Sequence, residues 1–511
     1  MNKYTRLFNT IKYLKFTQIY YRLVYFIRNR FRKAIQFKYK FIKESNSTSI
    51  KLVNSCEYYS SYKDNEFHML NLSKKFEDKI DWNYSKYGKL WTYNLTYFEY
   101  LKEKEDISLV YDFIENISSV KDGLEPFPIS LRGINWIKFL TKYQIKDKNL
   151  DDSLYAQYYI LFDNLEYHLL GNHLLENGFS LLFASFYFQD ETLYKKAKRI
   201  LIKELDEQIL DDGAHFELSP MYHQLMLFRI LDCINLIQNN SWKNKELLKF
   251  LEEKASLMLG WLKNISYENG EIPLLNDSAN NIATTTKELF DYALRLNSQF
   301  SILNSQLKES GYRKIKKENY ECIVDIGEIG ASYIPGHAHA DTFNFELYIK
   351  QKPFIVDTGL STYNIGQQRD EERSTKSHNT IEINETNSSE VWGGFRVANR
   401  ANITELIEEK NFIKATHDGY KKKFGILHTR NWLFEEHKII INDTLNKECN
   451  AIARLHFHPD ITEYEISNKI NLQNLQYKIE IYNYAPEFNK TIKALVLEIS
   501  FKKDLKVEIN I

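Results

Sequence analysis

The spacing of apolar residues divides the chain into two halves. From about residue 60 to residue 305, apolar positions recur every three or four residues, as in 221–237 and 247–265, which is the period of an amphipathic helix. From about residue 320 onward, the pattern changes to short alternating runs rich in Ile, Val, Phe and Tyr, as in 343–349 and 492–499. Runs of this kind are typical of β-strands. The sequence therefore predicts a helical half followed by a β half.

The order of these elements also predicts the domain organisation. Helices that precede strands, rather than alternating with them, indicate separate α and β layers or domains. At 511 residues the chain exceeds the size at which a single hydrophobic core stops growing. We place the join in the Lys/Glu-rich stretch 311–319, and predict a helical domain over 56–312 and a β domain over 313–511. A segment over 1–55, which we also expect to be helical, precedes them.

Residues 1–55 mix Lys and Arg with aromatic residues such as Tyr20, Tyr25 and Phe26. They contain no uninterrupted apolar stretch followed by a small-residue cleavage site, so we expect no secretory signal. No segment approaches the roughly twenty uncharged apolar residues of a transmembrane helix. We expect an amphipathic helix packed on the protein, with peripheral contact to an anionic membrane as the alternative. The expected location is the cytoplasm or the face of the inner membrane, with the periplasm as the alternative.

Composition excludes some classes of partner. The chain has 68 basic and 68 acidic residues, so it has no general attraction for nucleic acid, and a polyanion has to be bound locally. Aromatic residues make up 14% of the chain; most belong to the core, but some offer flat faces to sugar rings. The four cysteines are far apart in the sequence, have no metal-ligand spacing and are expected to be free thiols.

The densest chemical signal of the β half is a run in which His337, His339 and Asp341 occupy every second position. In a strand this period places the three side chains on one face, which suits metal ligation or a base beside a metal ligand. Asp357 follows the next strand-like segment, and His378 begins another. Histidines and a carboxylate from neighbouring strands are ligands that Zn²⁺ prefers. The alternative is a set of histidines that hydrogen-bond to the backbone.

The helical half contains a polar cluster within an apolar region. Asn172, His173 and Glu176 lie within about one helical turn of one another. Further along, Ser219 and the proline after it have the character of an N-cap and a first helical residue. This start would place Tyr222 in the first turn of the next helix. The alternative for Tyr222 is a half-buried phenol of the core.

Taken together, these segments resemble the heparinase II/III family of polysaccharide lyases from about residue 80 to the C-terminus. The matching motifs, in chain order, are the Asn172-His173-Glu176 cluster, 217–223, the His337-His339-Asp341 run, 356–359 and 377–380. Several independent matches in one order are far more specific than any single one. The resemblance implies an (α/α) toroid, which is an incomplete helical barrel, followed by a C-terminal antiparallel β-sandwich. The cleft between the two is expected to hold an acidic polysaccharide.

Members of that family cleave a uronic-acid polymer by β-elimination, and the resemblance implies roles for individual residues. Asn172 or His173 would neutralise the uronate carboxylate, so that charge developing after loss of the C5 proton is stabilised. Tyr222 and His337 would exchange protons with C5 and with the departing glycosidic oxygen. Without a secretory signal, a self-made surface polysaccharide, such as a capsule or O-antigen, is an expected substrate.

The resemblance also implies a metal ion and a substrate-binding set. His339 and Asp357, together with His378, would hold a chiefly structural zinc ion. Substrate binding is expected of polar and aromatic residues near the motifs, namely Arg132, Trp136, Glu176, Glu217, His223, Trp392 and Arg396.

Other chemistry is compatible with the same scaffold, since fold alone does not determine reaction. Hydrolysis would require paired carboxylates, for which Glu176, Glu217 and Asp277 are candidates. A transferase or a non-catalytic glycan-binding protein is the remaining alternative. A lyase is distinguished by the new C4–C5 double bond of its product, which absorbs in the near ultraviolet.

Overall fold

The computed structural model of the protein describes residues 3–39, 46–243, 245–296, 300 and 306–511. The helical half contains α1 (Lys3–Ile11), α2 (Phe16–Ala34), α3 (Lys89–Tyr97), α4 (Ile107–Asn116), α5 (Pro126–Tyr143), α6 (Lys148–Asp163), α7 (Gly171–Phe188), α8 (Glu191–Gln208), α9 (Pro220–Gln238), α10 (Glu246–Ile265) and α11 (Thr286–Arg295). None of the helices in the described residues is long and apolar enough to cross a membrane.

Helix α7 lies at the centre of the helical half. It contacts α5, α6, α8 and α9, and all its residues except His173 are buried. A helix that is buried around its whole circumference needs no polar face, and the second half of α7 is accordingly mostly apolar, whereas its first turns carry Asn172, His173 and Glu176. Helix α9 begins as predicted: the Ser219 hydroxyl accepts a hydrogen bond from the Tyr222 backbone at 3.2 Å, and Pro220 fills the first position.

The helical half also contains a three-stranded antiparallel sheet of β1 (Ser61–Lys63), β2 (Glu66–Met69) and β3 (Leu72–Lys75). The pattern of this region, which is mostly helical, did not indicate these strands. These strands are three or four residues long, too short for alternation to be recognised. The turn between β2 and β3 is formed by Leu70 and Asn71 at φ values of 54° and 59°, without the glycine that usually marks such hairpins.

The β half begins with β4, next to the predicted join. It contains β4 (Tyr312–Lys316), β5 (Tyr320–Asp325), β6 (Phe345–Ile349), β7 (Lys352–Ile355), β8 (Ile381–Ile383), β9 (Val391–Trp392), β10 (Arg396–Val397), β11 (Ile403–Glu409), β12 (Phe412–His417), β13 (His428–Phe434), β14 (Lys438–Leu445), β15 (Ala451–His456), β16 (Gln476–Glu487), β17 (Lys490–Phe501) and β18 (Asp504–Asn510). Short helices α12 (Gln367–Glu372), α13 (Lys421–Phe424) and α14 (Glu463–Lys469) connect them.

All strand pairs of the described sheets are antiparallel. The main sheets have the orders β4-β5-β6-β7, β16-β17-β15-β8 and β11-β12-β13-β14-β18. Strand β13 alternates between buried and half-buried residues, as a strand with one face toward a core must. The two halves pack directly on each other, since the rings of Tyr267 and Tyr348 stack 3.6 Å apart. The predicted order of helices and antiparallel strands is confirmed.

The histidine-rich run is a loop and not the predicted strand, because β6 begins only at Phe345. Its backbone pairs with the helical half instead of with a neighbouring strand. The backbone N–H of Asp277 donates to the His337 carbonyl at 3.0 Å, and that of His339 donates to Asn276 Oδ1 at 3.0 Å. The backbone of this loop therefore makes its hydrogen bonds to the helical half, where a strand would make them to a neighbouring strand.

Candidate active site

A cavity of about 570 Å³ lies between the two halves. Asn172, Glu176 and Tyr222 contribute to its wall from α7 and α9, and Tyr363 and Phe488 contribute from the β half. A volume of this size is typical of a small-molecule or oligosaccharide subsite. Its aromatic wall suits the apolar faces of sugar rings.

One wall of the cavity is formed by the β2–β3 turn, which bridges to the β half. Asn71 Nδ2 donates to Glu487 Oε2 at 3.0 Å and to the Phe488 carbonyl at 2.9 Å. In return, Asn489 Nδ2 donates to the Leu70 carbonyl at 2.9 Å. The turn thus joins the helical half to the β16–β17 connection. No pattern in the sequence indicated this wall.

Tyr222 lines the cavity and contacts His337, although the two residues come from different halves. Their rings stack with centroids 3.9 Å apart, and the Tyr222 hydroxyl lies 3.2 Å from the Tyr363 hydroxyl. Burial raises the pKa of Tyr222 above its ordinary value, and the nearby carboxylates of Asp277 and Glu217 add to the shift. Tyr222 is therefore held as a phenol at neutral pH, the form that can donate a proton.

Asp277 fixes the position of His337. The Asp277 carboxylate is fully buried and lies 2.9 Å from His337 Nδ1, 2.8 Å from His339 Nε2 and 2.6 Å from Arg369 Nη2. Burial alone would raise the pKa of Asp277, but the Arg369 charge and the two histidine hydrogen bonds lower it well below the ordinary value. An ionised carboxylate accepts a hydrogen bond from the N–H of His337 Nδ1, which leaves the lone pair on Nε2. Nε2 lies 3.4 Å from Glu217 Oε2.

Sequence analysis did not predict the contacts of Asp277 and Arg369 at this site. Asp277 was considered as a carboxylate for hydrolysis and not as a partner of His337, and Arg369 carried no signal. The neighbouring Asn276 and Ser278 make an unusually polar triplet with Asp277, and this triplet was the one clue available. The triplet becomes part of the site only because the loop that carries His337 and His339 packs against it, and the sequence does not show that contact.

The structure distinguishes between the two candidates for the neutralising residue. Asn172 lines the cavity, and its backbone and side-chain N–H groups lie 3.3 and 3.4 Å from the Glu217 carboxyl. His173 is not among the lining residues; its Nδ1 lies 3.1 Å from Glu166 Oε1, and its ring packs on Phe127. Burial raises the pKa of Glu217, against the opposing effects of His337 and of the hydrogen bond from Asn172.

An ion pair lies deeper in the cavity wall. Arg229 Nε is 3.2 Å from both oxygens of Glu176, and Arg229 Nη1 donates to the Tyr58 hydroxyl at 2.7 Å. Burial raises the pKa of Glu99 to about 7, against the opposing effect of Arg229. Arg229 and Glu99 were missed by sequence analysis, because each lies in an ordinary helical or loop pattern far from the motifs.

Of the seven residues of the predicted substrate-binding set, Glu176 alone is among the residues that line the cavity. Arg132 and Trp136 are fully buried in the helical core. The Arg132 guanidinium donates to Gln157 Oε1 at 2.8 Å and to the backbone carbonyls of Thr96 and Gly123. Both residues are therefore structural, and the prediction that they bind substrate is corrected.

His223 is also turned away from the cavity. Its Nε2 lies 3.0 Å from the Met258 carbonyl, and its ring packs 4.4 Å from that of Trp261. Burial lowers the pKa of His223 to about 3, so it is a neutral core residue. Adjacent positions on a helix face different directions, which separates His223 from Tyr222.

Trp392 and Arg396 belong to the β9–β10 hairpin and do not line the cavity. The Arg396 guanidinium lies 4.8 Å from the Trp392 ring centroid, and Trp392 Nε1 donates to Thr10 of α1 at 3.2 Å. Phe395, at the turn of the hairpin, lies against Tyr363 with ring centroids 5.3 Å apart. The hairpin approaches the site through Phe395 and not through the two predicted residues.

Comparison with known proteins identifies the family. A model described as heparinase II/III N-terminus matches residues 132–301, and one described as heparinase II/III-like, C-terminal matches residues 304–492. The chain belongs to the heparinase II/III family. The resemblance inferred from the motifs is confirmed.

The curated relatives are lyases of moderate similarity. A heparin-sulfate lyase of Bacteroides stercoris is 20% identical over 335 residues, which cover 59% of this chain and 47% of the relative. A heparin-sulfate lyase of Pedobacter heparinus is 25% identical over 246 residues, which cover 42% of this chain and 36% of the relative. The matched part of this heparinase II/III protein thus spans less than half the length of either relative.

Solved structures confirm the fold. A crystal structure of heparinase III superposes with a TM-score of 0.60 and 14% identity, covering 97% of this chain and 91% of that one. The heparan sulfate lyase HepC of Pedobacter heparinus gives a TM-score of 0.52 and 17% identity, covering 87% of this chain and 80% of that one. The predicted helical toroid followed by a β-sandwich is the shared architecture.

The predicted metal ligands are close to one another in the β half. His378 Nδ1 lies 2.8 Å from Asp357 Oδ2, and the rings of His339 and His378 are 5.2 Å apart. No group of three or more His, Cys, Asp or Glu side chains within the described ranges is arranged as a metal-binding set. Zinc therefore stays a prediction.

Unsatisfied polar atoms at this place nevertheless fit a cation. His339 Nδ1, His378 Nε2 and Asp341 Oδ2 are buried without a hydrogen-bond partner, which is costly for polar atoms. Asp357 is already engaged, since Oδ1 accepts from the Gly359 backbone at 2.9 Å and Oδ2 accepts from His378 and Asn344. The fit to a cation is therefore better for the two histidines and Asp341 than for Asp357 as a direct ligand.

Proposed function

We propose that the protein is a polysaccharide lyase that cleaves a uronic-acid-containing glycan by β-elimination. The observation that carries the proposal is the stacking of Tyr222 on His337 beside a cavity that Asn172 also lines. Two proton-transfer groups and an amide at one subsite are what the elimination requires. The lyase names of the relatives support the same reaction class.

The two proton transfers are assigned from the contacts of each group. His337 Nδ1 is engaged by Asp277, so Nε2 is the atom that would take the C5 proton. Tyr222, whose pKa is raised by burial, would deliver a proton to the departing C4 oxygen. The electron pair of the C5–H bond then forms the C4–C5 double bond as the C4–O bond breaks. Each properly placed group contributes roughly a hundredfold to ten-thousandfold in rate.

Asn172 and Glu217 are proposed to stabilise the uronate carboxylate. Negative charge develops on that carboxylate when the C5 proton leaves, and fixed hydrogen-bond donors stabilise such charge without reorganisation. The Asn172 amide lies in the cavity wall and can donate a hydrogen bond to the substrate. Glu217 would hold this residue in place, because its carboxyl group lies 3.3 and 3.4 Å from the backbone and side-chain nitrogens of Asn172.

The charges of the cavity favour a substrate with few or no sulfate groups. Arg229 is the single Arg or Lys among the described lining residues, and its charge is paired with Glu176. A heavily sulfated polymer brings several negative charges per disaccharide and requires surplus cationic partners. A plain uronate glycan requires only one carboxylate to be neutralised.

The test measures near-ultraviolet absorbance of unsaturated product on a panel of sulfated and unsulfated uronate glycans. We expect wild-type protein to form product mainly from unsulfated members. Tyr222→Phe keeps the ring and should fold and bind normally, with turnover reduced roughly a hundredfold to ten-thousandfold. Tyr111→Phe, on the surface of α4, is the matched control and should retain activity. New reducing ends without absorbance would indicate a hydrolase, and binding without product would indicate a glycan-binding protein.

For the metal, we propose zinc held by His339 Nδ1 and His378 Nε2, with Asp341 as the carboxylate. Asp357 would orient His378 through its hydrogen bond, as carboxylates commonly do behind a metal-bound histidine. The role would be structural, because the zinc ion would fix the loop that carries His337.

Elemental analysis of protein purified without chelator should find stoichiometric metal. The variant His339→Ala should lose the metal, whereas the variant His437→Ala, at an exposed position, should retain it. Metal-free wild-type protein would contradict the proposal.

A further inference from the structure

Helix α2 presents an apolar stripe to solvent. Along the helix, large apolar residues recur at three- and four-residue intervals on its exposed side: Phe16, Ile19, Tyr20, Leu23, Phe26, Ile27 and Phe31. Phe16 is 79% exposed, and Leu23 and Ile27 are each 58% exposed. A contiguous apolar surface of this kind marks an interaction site on a soluble protein.

The opposite side of α2 attaches to the protein through polar bonds. Gln18 Nε2 donates to the Leu169 carbonyl at 2.9 Å, the Tyr25 hydroxyl donates to the Leu165 carbonyl, and Arg28 Nη1 donates to the Asp163 carbonyl at 2.6 Å. The usual polarity of a surface helix is therefore inverted, with hydrogen-bonding groups inward and apolar groups outward. Helix α2 thus packs on the protein through these polar groups and through the stacking of Tyr21 on Tyr167, while its apolar stripe stays exposed.

Helix α1 repeats the arrangement on a smaller scale. Tyr4, Leu7, Phe8 and Ile11 are all exposed, at the same helical spacing. Its anchoring contacts are polar as well, since Arg6 pairs with Glu390 at 2.7 Å and Thr10 accepts from Trp392. Both helices thus expose apolar side chains to solvent.

Charge identifies the surface that fits these helices. The chain as a whole is neutral, but the 43 residues before its first acidic residue, Glu44, include 12 Lys and Arg. Lys12, Arg30 and Lys33 are exposed alongside the apolar stripes, and the Arg30 guanidinium lies 4.4 Å from the Phe26 ring centroid. Aromatic and aliphatic side chains flanked by Lys and Arg are the composition of a helix that lies in the headgroup region of an anionic bilayer.

We propose that α1 and α2 form a docking surface for an anionic lipid membrane. The apolar stripe of α2 would enter the headgroup–acyl boundary, and the flanking cations would contact lipid phosphates. The β9–β10 hairpin connects this surface to the catalytic pair, because Trp392 contacts α1 and Phe395 lies 6.4 Å from the His337 ring. Membrane docking would therefore hold the cavity near the lipid surface.

The test is sedimentation of the full chain with vesicles of phosphatidylcholine, with and without phosphatidylglycerol. We expect binding to the anionic vesicles that weakens as salt is added, since exposed charges are screened. The double variant Leu23→Glu with Ile27→Glu should bind at least about tenfold more weakly, because it places carboxylates in the stripe. The matched control is Leu294→Glu with Ile481→Glu, two residues that are 74% and 68% exposed elsewhere, and it should bind as wild type does.

Two outcomes would overturn the proposal. One is equal sedimentation of wild type and the α2 variant, or none with either vesicle. The other is self-association of wild type in the absence of lipid that the α2 variant abolishes, which would assign the stripe to a second copy of the chain. Turnover of a soluble substrate should be the same in all variants, since none of the substituted residues contacts the cavity.

Discussion

Two buried clusters among the described residues have the same residue types and different surroundings. The junction cluster consists of Asp277, His337, His339 and Arg369. The sandwich cluster consists of His417, His428, Arg430 and Asp443. Each places histidines and an arginine around a buried aspartate, so composition alone does not distinguish them.

The sandwich cluster lies within one sheet, and its histidines, arginine and aspartate hydrogen-bond to one another. His417 pairs with His428, and Arg430 pairs with Asp443, as direct neighbours in strand register. His428 Nε2 lies 2.7 Å from Asp443 Oδ1, and Arg430 Nε lies at the same distance. Phe343 covers the histidines, so this cluster has no access to a substrate.

The junction cluster joins two domains, and one of its polar atoms lacks a hydrogen-bond partner. Asp277 comes from the helical half, whereas the residues around it come from the β half. His337 stacks on Tyr222, which lines the cavity, and His339 Nδ1 has no hydrogen-bond partner. The two clusters thus differ in access to the cavity and in unsatisfied polar atoms, and not in residue type.

Replacement of one histidine in each cluster should give the largest contrast: one variant loses turnover, and the other loses thermal stability. His337→Ala should reduce turnover roughly a hundredfold to ten-thousandfold because a proton-transfer group is lost. His428→Ala should leave the turnover of folded protein unchanged and lower its melting temperature. Near-ultraviolet product formation and thermal denaturation measure the two effects. Near-normal turnover of His337→Ala would remove the functional distinction between the clusters.

Asp277→Asn and Asp443→Asn should each destabilise the protein by about 3–5 kcal/mol, because each leaves a buried arginine without its counter-charge. Only Asp277→Asn should also reduce the turnover of folded protein, since Asp277 holds His337. Denaturant unfolding and activity at matched folded fraction check both statements. Equal turnover of the two folded variants would contradict the orienting role of Asp277.

The Asp443 contribution should also depend on pH. Burial alone would raise the pKa of Asp443, but Arg430 and His428 lower it below its ordinary value. A depressed pKa stabilises the fold above the ordinary value of about 4, and this stabilisation is lost as pH falls through the folded-state pKa. The difference in unfolding free energy between wild type and Asp443→Asn should therefore shrink in acid. A difference in unfolding free energy that stays constant as the pH falls would contradict this pH dependence.

Arg132→Lys tests a third buried polar site, in the helical core. Lys cannot reproduce the hydrogen bonds of the guanidinium to Gln157, Thr96 and Gly123, so we expect a loss of about 1–3 kcal/mol. Substrate KM should not change, since Arg132 is absent from the cavity wall. Unchanged stability with a raised KM would restore the substrate-binding role predicted from sequence.

The smallest expected effect is a pH-dependent change in KM that involves Glu99. Its pKa is about 7, so it gains negative charge above that pH, near Arg229, Glu176 and Lys138. That charge repels a uronate, and KM should rise about two- to tenfold above pH 7, in keeping with about 1 kcal/mol for such a pair. Glu99→Gln should flatten the rise. A wild-type KM that is constant across this range would contradict the prediction.

Local patterns predicted the elements that depend on neighbours in the chain. Helical spacing in 221–237 matches α9, and the alternation in 492–499 lies within β17. The Ser219 N-cap fixed the start of α9, which placed Tyr222 in its first turn. The strands of the β1–β3 sheet escaped prediction because a three-residue strand contains too little alternation.

By itself, the sequence determined the helical and β halves, the family and the identity of Tyr222 and His337 as candidate groups, because periodicity, capping and motif order are properties of nearby residues. Tertiary structure alone decided that Asn172 and not His173 lines the cavity, that Asp277, paired with Arg369, contacts His337, and that Arg132 is a core residue. These outcomes depend on which surfaces of two domains meet. Residues 60 or more positions apart become neighbours only when the loop after β5 packs against the end of the helical half.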